Sequence, residues 1–299
     1  MLSQKQIRQW IPDAVSAFQS VMPPISKPYP IIQIASSATL NKVRSHLVEQ
    51  TKSQNRNIKN PYTSMMEMLY GHSGTAILIY QKLCPESKDE FNHALWHELG
   101  HFYAISAETE SFFLLADQKT NENQIRQSGY WLWNEFIAEC ISNHVGKEIN
   151  SSLIENTDYN CQLYWRQTYL RLQYLIQLAY NILPYSFSEY DLAIYYATLL
   201  TDPYTVTFVN NAINNELTVW DPNKESYIPM RPDSIEPTAL SLLPKEYVNL
   251  LLDITDLLRD KVEEIEFWKV DESFLDRLGL IVNELNIKKS MQQLLKMQK

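Results

Sequence analysis

The stretch from Phe91 to Ile105, FNHALWHELGHFYAI, carries the pattern H-E-x-x-H at His97, Glu98 and His101. On an α-helix residues i and i+4 lie on one face a turn apart, so the imidazoles of His97 and His101 can reach one metal ion. Glu98 is displaced around the helix, where its carboxylate is placed to act as a general base and not as a third ligand. The stretch therefore predicts a zinc site carried by a helix.

Local signals on either side support this helix. Ser87 is the predicted N-cap, and Glu90 at the third helical position completes a capping box. His93 shares the stripe of His97 and His101, but its distance along the axis favours an ordinary helix-surface or cleft residue. Inside a helix Gly100 is about 1 kcal/mol less favourable than alanine. A close packing contact would explain why glycine is present there.

A small sheet is predicted before this helix. Pro30–Ala35 is short and β-branched, which is typical of a strand. Apolar residues on both sides of Gly71–Gly74 predict two strands joined by a tight turn, the second covering Thr75–Leu83. Nearer the N-terminus, a helical pattern over residues 3–20 is expected to be interrupted at Pro12.

A second long helix is predicted from Ser128, its cap, to Gly146, its end. It carries Glu135 and Glu139 four residues apart among apolar residues, where two unpaired carboxylates would be costly to bury. A nearby cation removes that cost; the alternative is that both face solvent or pair with arginines such as Arg126. Because a catalytic zinc usually takes three protein ligands, this helix is a source of the third.

The two segments HELGH, residues 97–101, and NEFIAE, residues 134–139, together resemble the zinc metallopeptidases of the gluzincin, thermolysin-like branch. The resemblance covers roughly residues 65–146. It implies that His97, His101 and Glu135 are the three metal ligands and that Glu98 is the general base. It also implies that Glu139 is an acidic residue that orients a histidine ligand. It also implies that the strand Thr75–Leu83 is an edge strand lining the cleft, where an extended substrate can pair.

The sequence departs from this family at the residue that stabilises the oxyanion. His144 is the only histidine after His101, and it follows Glu135 by about two and a half helical turns, so it is expected to face away from the metal. Tyr195 and Tyr196 are the candidates for this role. Whether Glu135 or Glu139 is the third ligand also stays open.

Composition bounds the class of protein. A chain of 299 residues that is 45% hydrophobic can bury a sizeable core. Its formal net charge of -9 argues against a nucleic-acid partner, which needs a clustered basic surface. No apolar run approaches a membrane span or a signal peptide, and three irregularly spaced cysteines, Cys84, Cys140 and Cys161, suit a reducing compartment. A cytoplasmic protein without a membrane partner is expected.

The fold predicted is α+β, mainly helical and zincin-like. Residues 1–127 are expected to form a lobe with a small sheet and the HExxH helix, and 128–299 a helical lobe carrying the third ligand, with the cleft between them. Later helices are expected over Tyr159–Leu183, Phe187–Leu200, Leu243–Val262 and Ser273–Gln298, with Asn210–Pro237 as a polar loop.

The expected function is hydrolysis of peptide bonds in a peptide or protein substrate. Zn²⁺ would activate a water molecule, and Glu98 would take its proton and pass it to the leaving amine. Two alternatives remain: a zincin-like protein that binds metal and partners without turnover, and a helical structural protein with a chance motif.

Overall fold

The computed structural model describes residues 2–53, 65–106, 121–154, 218–221, 226–229, 245–262 and 268–297, with isolated positions 193, 197, 264 and 266. The named elements are, in chain order, α1 (Gln4–Val21), β1 (Ile31–Ala35), α2 (Leu40–Thr51), β2 (Met66–Gly71), β3 (Gly74–Tyr80), α3 (Lys88–Ala104), α4 (Asn121–Ile154), β4 (Thr218–Asp221), β5 (Ser226–Pro229), α5 (Lys245–Val262) and α6 (Glu272–Met297). Two compact units divide the chain: one comprises Met1–Phe113 and Ile137–Ile149, the other Leu114–Phe136 and Asn150–Lys299.

In the first unit, α1 is one continuous helix that passes through Pro12, so the predicted interruption there is wrong. Pro12 removes one backbone donor, but it lies on the exposed side of the helix, where water can bind the carbonyl group left over. The helix start is reinforced by a capping box between Ser3 and Gln6.

The sheet has the strand order β1-β3-β2, with β1 parallel and β2 antiparallel to β3. The predicted hairpin is confirmed, and Gly74 at its turn has φ +142°, a backbone conformation that suits glycine. However, β3 is the middle strand and not an edge, so the expectation that an extended substrate pairs with it is wrong. Its last predicted residues, Gln81–Leu83, form a 3₁₀ turn instead.

Both faces of the central strand β3 are buried. On one face, α2 packs over a cluster whose members are Ala35, Leu40, Leu47, Leu69, Ala76, Leu78 and Tyr80. Ile77 and Ile79 are fully buried on the opposite face, since successive side chains of a strand alternate. The helix α3 contacts β2 and packs against α1, where the indole Nε1–H of Trp96 donates to the carbonyl oxygen of Ala14 at 2.9 Å.

The helix α4, which carries Glu135 and Glu139, is longer than the sequence signals predict. It begins at Asn121 and continues to Ile154, so the predicted start at Ser128 and end at Gly146 are both wrong. Ser128 is a residue of the helix, and its hydroxyl donates to the carbonyl oxygen of Gln124. Gly146 also lies inside the helix and does not end it. A Cβ at this position would lie 3.6 Å from the ring of Trp96, which is an ordinary packing distance.

In the second unit, α4 and α6 approach each other at two glycines. A Cβ on Gly129 would collide with the backbone of Leu275 and Gly279, and a Cβ on Gly279 with the carbonyl group of Ile125. Arg126 also reaches α6, where its Nε and Nη2 donate to the two carboxylate oxygens of Asp276 at 2.7 and 2.8 Å. Backbone contact and a two-pronged ion pair therefore hold these helices together.

The described residues are mainly helical with a small three-stranded sheet, which confirms the α+β class. Within the segment predicted as a loop, β4 and β5 pair as a short antiparallel ribbon. The two C-terminal helices are confirmed as α5 and α6. The helices predicted over Tyr159–Leu183 and Phe187–Leu200 lie outside the described residues apart from two helical positions, 193 and 197. In the part of the chain that is described, no helix is both long and apolar enough to cross a membrane.

Candidate metal centre

The helix α3 presents the two histidines of the motif on one face. Ser87 caps its start, where the hydroxyl accepts a hydrogen bond from the backbone N–H of Glu90 at 3.4 Å. His101 is buried and the side chain of His97 is 12% exposed, and their ring centroids lie 4.7 Å apart. The i, i+4 spacing therefore brings both imidazoles together, as the motif predicts.

Glu135 on α4 joins this pair. Among the described residues, ligand atoms of His97, His101 and Glu135 all lie within 4.8 Å of one another, a separation at which three atoms can contact one ion. Two imidazole nitrogens and one carboxylate oxygen form the donor set of a catalytic zinc site that keeps a fourth position open. This group can hold a metal ion, and it contains the carboxylate that the resemblance implies.

Glu98 follows His97 directly on α3 and is half-buried. It does not belong to the group of three ligand atoms described above. The general-base role of Glu98 stays a prediction from the motif.

Glu139 lies one turn after Glu135 on α4, and its role is different. Its side chain is 6% exposed, and its Oε2 accepts a hydrogen bond from Nδ1 of His97 at 3.0 Å. Because an ionised carboxylate only accepts, the proton of a neutral His97 ring is on Nδ1 and its Nε2 keeps the lone pair that binds metal. The carboxylate is therefore placed to orient a ring of the candidate metal group, which is the position that the resemblance implies for it.

His93, expected to be an ordinary helix-surface or cleft residue, is partly buried and hydrogen-bonds Glu139. The Nε2 of His93 donates to Oε1 of Glu139 at 3.0 Å. The hydroxyl of Ser142 lies 3.0 Å from Nδ1 of His93 and 2.9 Å from the carbonyl oxygen of His93. Spacing along α3 could not reveal this role, because the partners belong to a helix more than forty residues later in the sequence. One clue lay in the sequence of α4 itself, since Ser142 follows Glu139 by three residues and so lies close to it on the same helix.

The charge of Glu139 is set by competition between burial and these histidines. Burial alone would raise the pKa of this carboxyl group, but its interaction with His93 and the hydrogen bond from His97 lower the pKa well below its usual value. The carboxylate is therefore ionised at neutral pH, as the hydrogen bonds to both rings require.

Close packing of α3 on α4 brings the histidines and carboxylates within reach. A Cβ added to Gly100 would lie 2.8 Å from the carbonyl oxygen and 2.9 Å from the Cα of Ala138, distances that real side chains do not adopt. The predicted packing contact at Gly100 is confirmed. Only glycine lets the two backbones approach so closely beside Glu139.

Other residues considered from the sequence take different positions. Arg126, offered as a partner for the glutamates, binds Asp276 and Glu272. Cys84 is buried, which raises the pKa of its thiol to about 11, in agreement with an inert packing role. Tyr195 and Tyr196, the candidates for stabilising an oxyanion, lie outside the described residues.

No protein-family model, curated protein or solved structure matches this chain.

Proposed function

We propose that this chain is a zinc-dependent peptidase with a zincin-like fold and a gluzincin-type site. The observation that carries the proposal is the proximity of the ligand atoms of His97, His101 and Glu135, within 4.8 Å of one another, on two closely packed helices. A chance H-E-x-x-H pattern has no reason to meet a glutamate from a second helix at ligand distance. The metal-binding alternative without turnover shares this geometry and differs only in the chemistry of Glu98.

Zinc is the metal that this donor set favours, because its borderline softness suits imidazole with one carboxylate. When bound, it would supply a lowered pKa to water and polarise the carbonyl group of a substrate. Calcium and magnesium prefer oxygen donors, whereas two of the three grouped residues are histidines.

The chain's own residues then divide the work. Glu98 accepts a proton from the attacking water and returns it to the leaving amine, a transfer typically worth 10²–10⁴-fold in rate, on the order of 3–5 kcal/mol. Glu139 keeps the proton of His97 on Nδ1, so that Nε2 faces the ligand position. Peptides or proteins are the substrates that this amide chemistry fits.

Two measurements test the proposal in sequence. The purified protein is analysed for metal, and about one zinc per chain is expected. Hydrolysis of a quenched fluorescent peptide library is then compared between the wild type and Glu98→Gln, which is expected to keep its zinc but lose at least about 100-fold in rate. The matched control is Glu90→Gln on the same helix, where no loss is expected because Glu90 lies in the first turn.

The outcomes separate the functional classes. Equal rates for the wild type and Glu98→Gln would contradict the peptidase mechanism. Stoichiometric zinc without hydrolysis of any library member would favour the metal-binding protein without turnover. Absence of zinc, with no change on Glu135→Ala, would remove the site itself.

A further inference from the structure

The carboxylate of Glu139 is shared between two histidines of α3. Its Oε2 lies 3.0 Å from Nδ1 of His97, and its Oε1 lies 3.0 Å from Nε2 of His93. The two rings are one helical turn apart, so the carboxylate bridges them along the axis of α3. The rotation of the Glu139 carboxylate is therefore fixed at both oxygens.

His93 is itself fixed from its other side. The hydroxyl of Ser142 is 3.0 Å from Nδ1 of His93 and 2.9 Å from the carbonyl oxygen of the same residue, and Ser142 is fully buried. Both ring nitrogens of His93 therefore have partners on α4. A ring held in this way is a donor of defined direction toward Glu139, and it is not available as a metal ligand.

We propose that His93 is a positioning residue of the metal centre, held by Ser142, that aims the Glu139 carboxylate at Nδ1 of His97. The inference rests on the metal site of the proposed function, and it assigns that site a supporting chain that runs from Ser142 through His93 and Glu139 to His97. Residues that orient a histidine ligand typically contribute 10–100-fold to metal affinity. His93 is one hydrogen bond further from the metal ligand His97 and acts on it through the Glu139 carboxylate.

The burial of Glu139 explains why its carboxylate needs a second hydrogen-bond donor, at Oε1. Glu139 is 4% exposed, so little water can replace a missing donor at Oε1. Without the N–H of His93, the buried carboxylate would turn toward other donors and its bond to His97 would lengthen. His97 would then lose the fixed ring orientation that directs Nε2 to the metal.

The test measures metal affinity on the full chain. Apoprotein is titrated with zinc against a chromophoric chelator, and with cobalt(II) to record the d–d absorption that reports coordination geometry. His93→Phe, which keeps a ring but has no donor, is expected to bind zinc about 10-fold more weakly or worse and to alter the cobalt spectrum. His93→Gln, whose amide N–H can reach Glu139, is expected to restore affinity to within a few-fold of the wild type.

Two further variants complete the design. Ser142→Ala is expected to weaken zinc binding by a few-fold, because it loosens His93 without removing the donor to Glu139. His46→Phe places the same substitution at an exposed histidine of α2 and is expected to change nothing. The melting temperature of each apoprotein distinguishes a lost positioning contact from a damaged fold.

Each result has one meaning. Unchanged zinc affinity and cobalt spectrum in His93→Phe would overturn the inference while leaving the metal site intact. If His93→Phe does not fold, the zinc affinities of Ser142→Ala and His93→Gln test the inference. A His93→Gln variant that binds zinc no more tightly than a folded His93→Ala variant would then overturn it. A wild-type chain that binds neither zinc nor cobalt would remove the proposed function and the inference together.

Discussion

Gly100 and Ala138 are in backbone contact at the point where α3 packs on α4, close enough that a Cβ at Gly100 would lie 2.9 Å from the Cα of Ala138. Ala138 immediately precedes Glu139, so this contact sets how closely the carboxylate approaches the histidine face of α3. The distance between the helices is in this way encoded by a residue with no side chain.

Gly100→Ala is therefore expected to destabilise the fold and weaken metal binding together. Alanine gains about 1 kcal/mol of helix propensity, but forcing the backbones apart costs typically 1–3 kcal/mol or more, because the neighbouring atoms belong to the backbone of Ala138 and cannot rotate away. Thermal unfolding and zinc titration measure the two effects. Gly146→Ala on α4 is the control, since its Cβ meets only the Trp96 ring at 3.6 Å, and its melting temperature is expected to stay level or rise.

The two glutamates of α4 are expected to differ in their effect on zinc affinity. Glu139→Gln removes an orienting charge and is expected to weaken zinc binding by about 10–100-fold. Glu135→Gln replaces a carboxylate of the ligand group itself and is expected to cost more than that. Chelator competition measures both constants, and a larger loss in Glu139→Gln would exchange the two assigned roles.

Gly129→Ala and Gly279→Ala are each expected to lower the stability of the second unit. Each added methyl group would collide with a backbone carbonyl group of the facing helix, at Leu275 and Ile125 respectively, so a loss of about 1–3 kcal/mol or more is expected. Denaturant unfolding measures it. Leu280→Ala, beside Gly279 but 55% exposed, is the comparison and is expected to have little effect; equal effects at the two positions would contradict the close helix contact.

The ion pair of Arg126 with Asp276 predicts a pH-dependent contribution to stability. Hydrogen bonds from Arg126 lower the pKa of Asp276 in the folded chain. A lowered folded pKa means that the contribution is present above the usual pKa of an aspartate and is lost as pH falls through the lowered value. Because the carboxylate is 41% exposed, solvent screening limits it to about 0.5–1 kcal/mol.

The difference in unfolding free energy between the wild type and Asp276→Asn, measured from pH 7 downward, checks this sign. The difference is expected to be largest at pH 7 and to shrink on acidification. Asp256→Asn, whose partner Arg259 is only three residues away on an exposed face, is expected to show almost no difference at any pH. A difference that grew at low pH would be inconsistent with the ion pair.

Sequence patterns predicted the parts of the centre that depend on local spacing. The i, i+4 spacing places His97 beside His101, and Glu135 beside Glu139, as soon as each segment is helical. The N-cap at Ser87 could be predicted because it too depends only on local sequence. The strands and the hairpin turn at Gly71–Gly74 also follow from local composition.

The features that were missed depend on residues far apart in the chain. The place of β3 in the middle of the sheet is decided by its pairing with β1, from Ile31 to Ala76 at one end, which no local pattern specifies. His93 acquired its role from Glu139 and Ser142 on another helix. The predicted bounds of α4 are wrong because Ser128 and Gly146 both lie inside the helix, and local cap signals do not decide where a helix ends when tertiary contacts, such as that of Gly129 with α6, extend it.

The strand order also has a consequence for the way the sheet assembles. The turn between β2 and β3 is short, so this hairpin can close on the microsecond timescale typical of hairpins, roughly 1–10 μs. Pairing β1 with β3 requires closure of a much longer loop, which costs additional chain entropy. We therefore expect the hairpin of β2 and β3 to form first and β1 to pair afterwards with the free edge of β3.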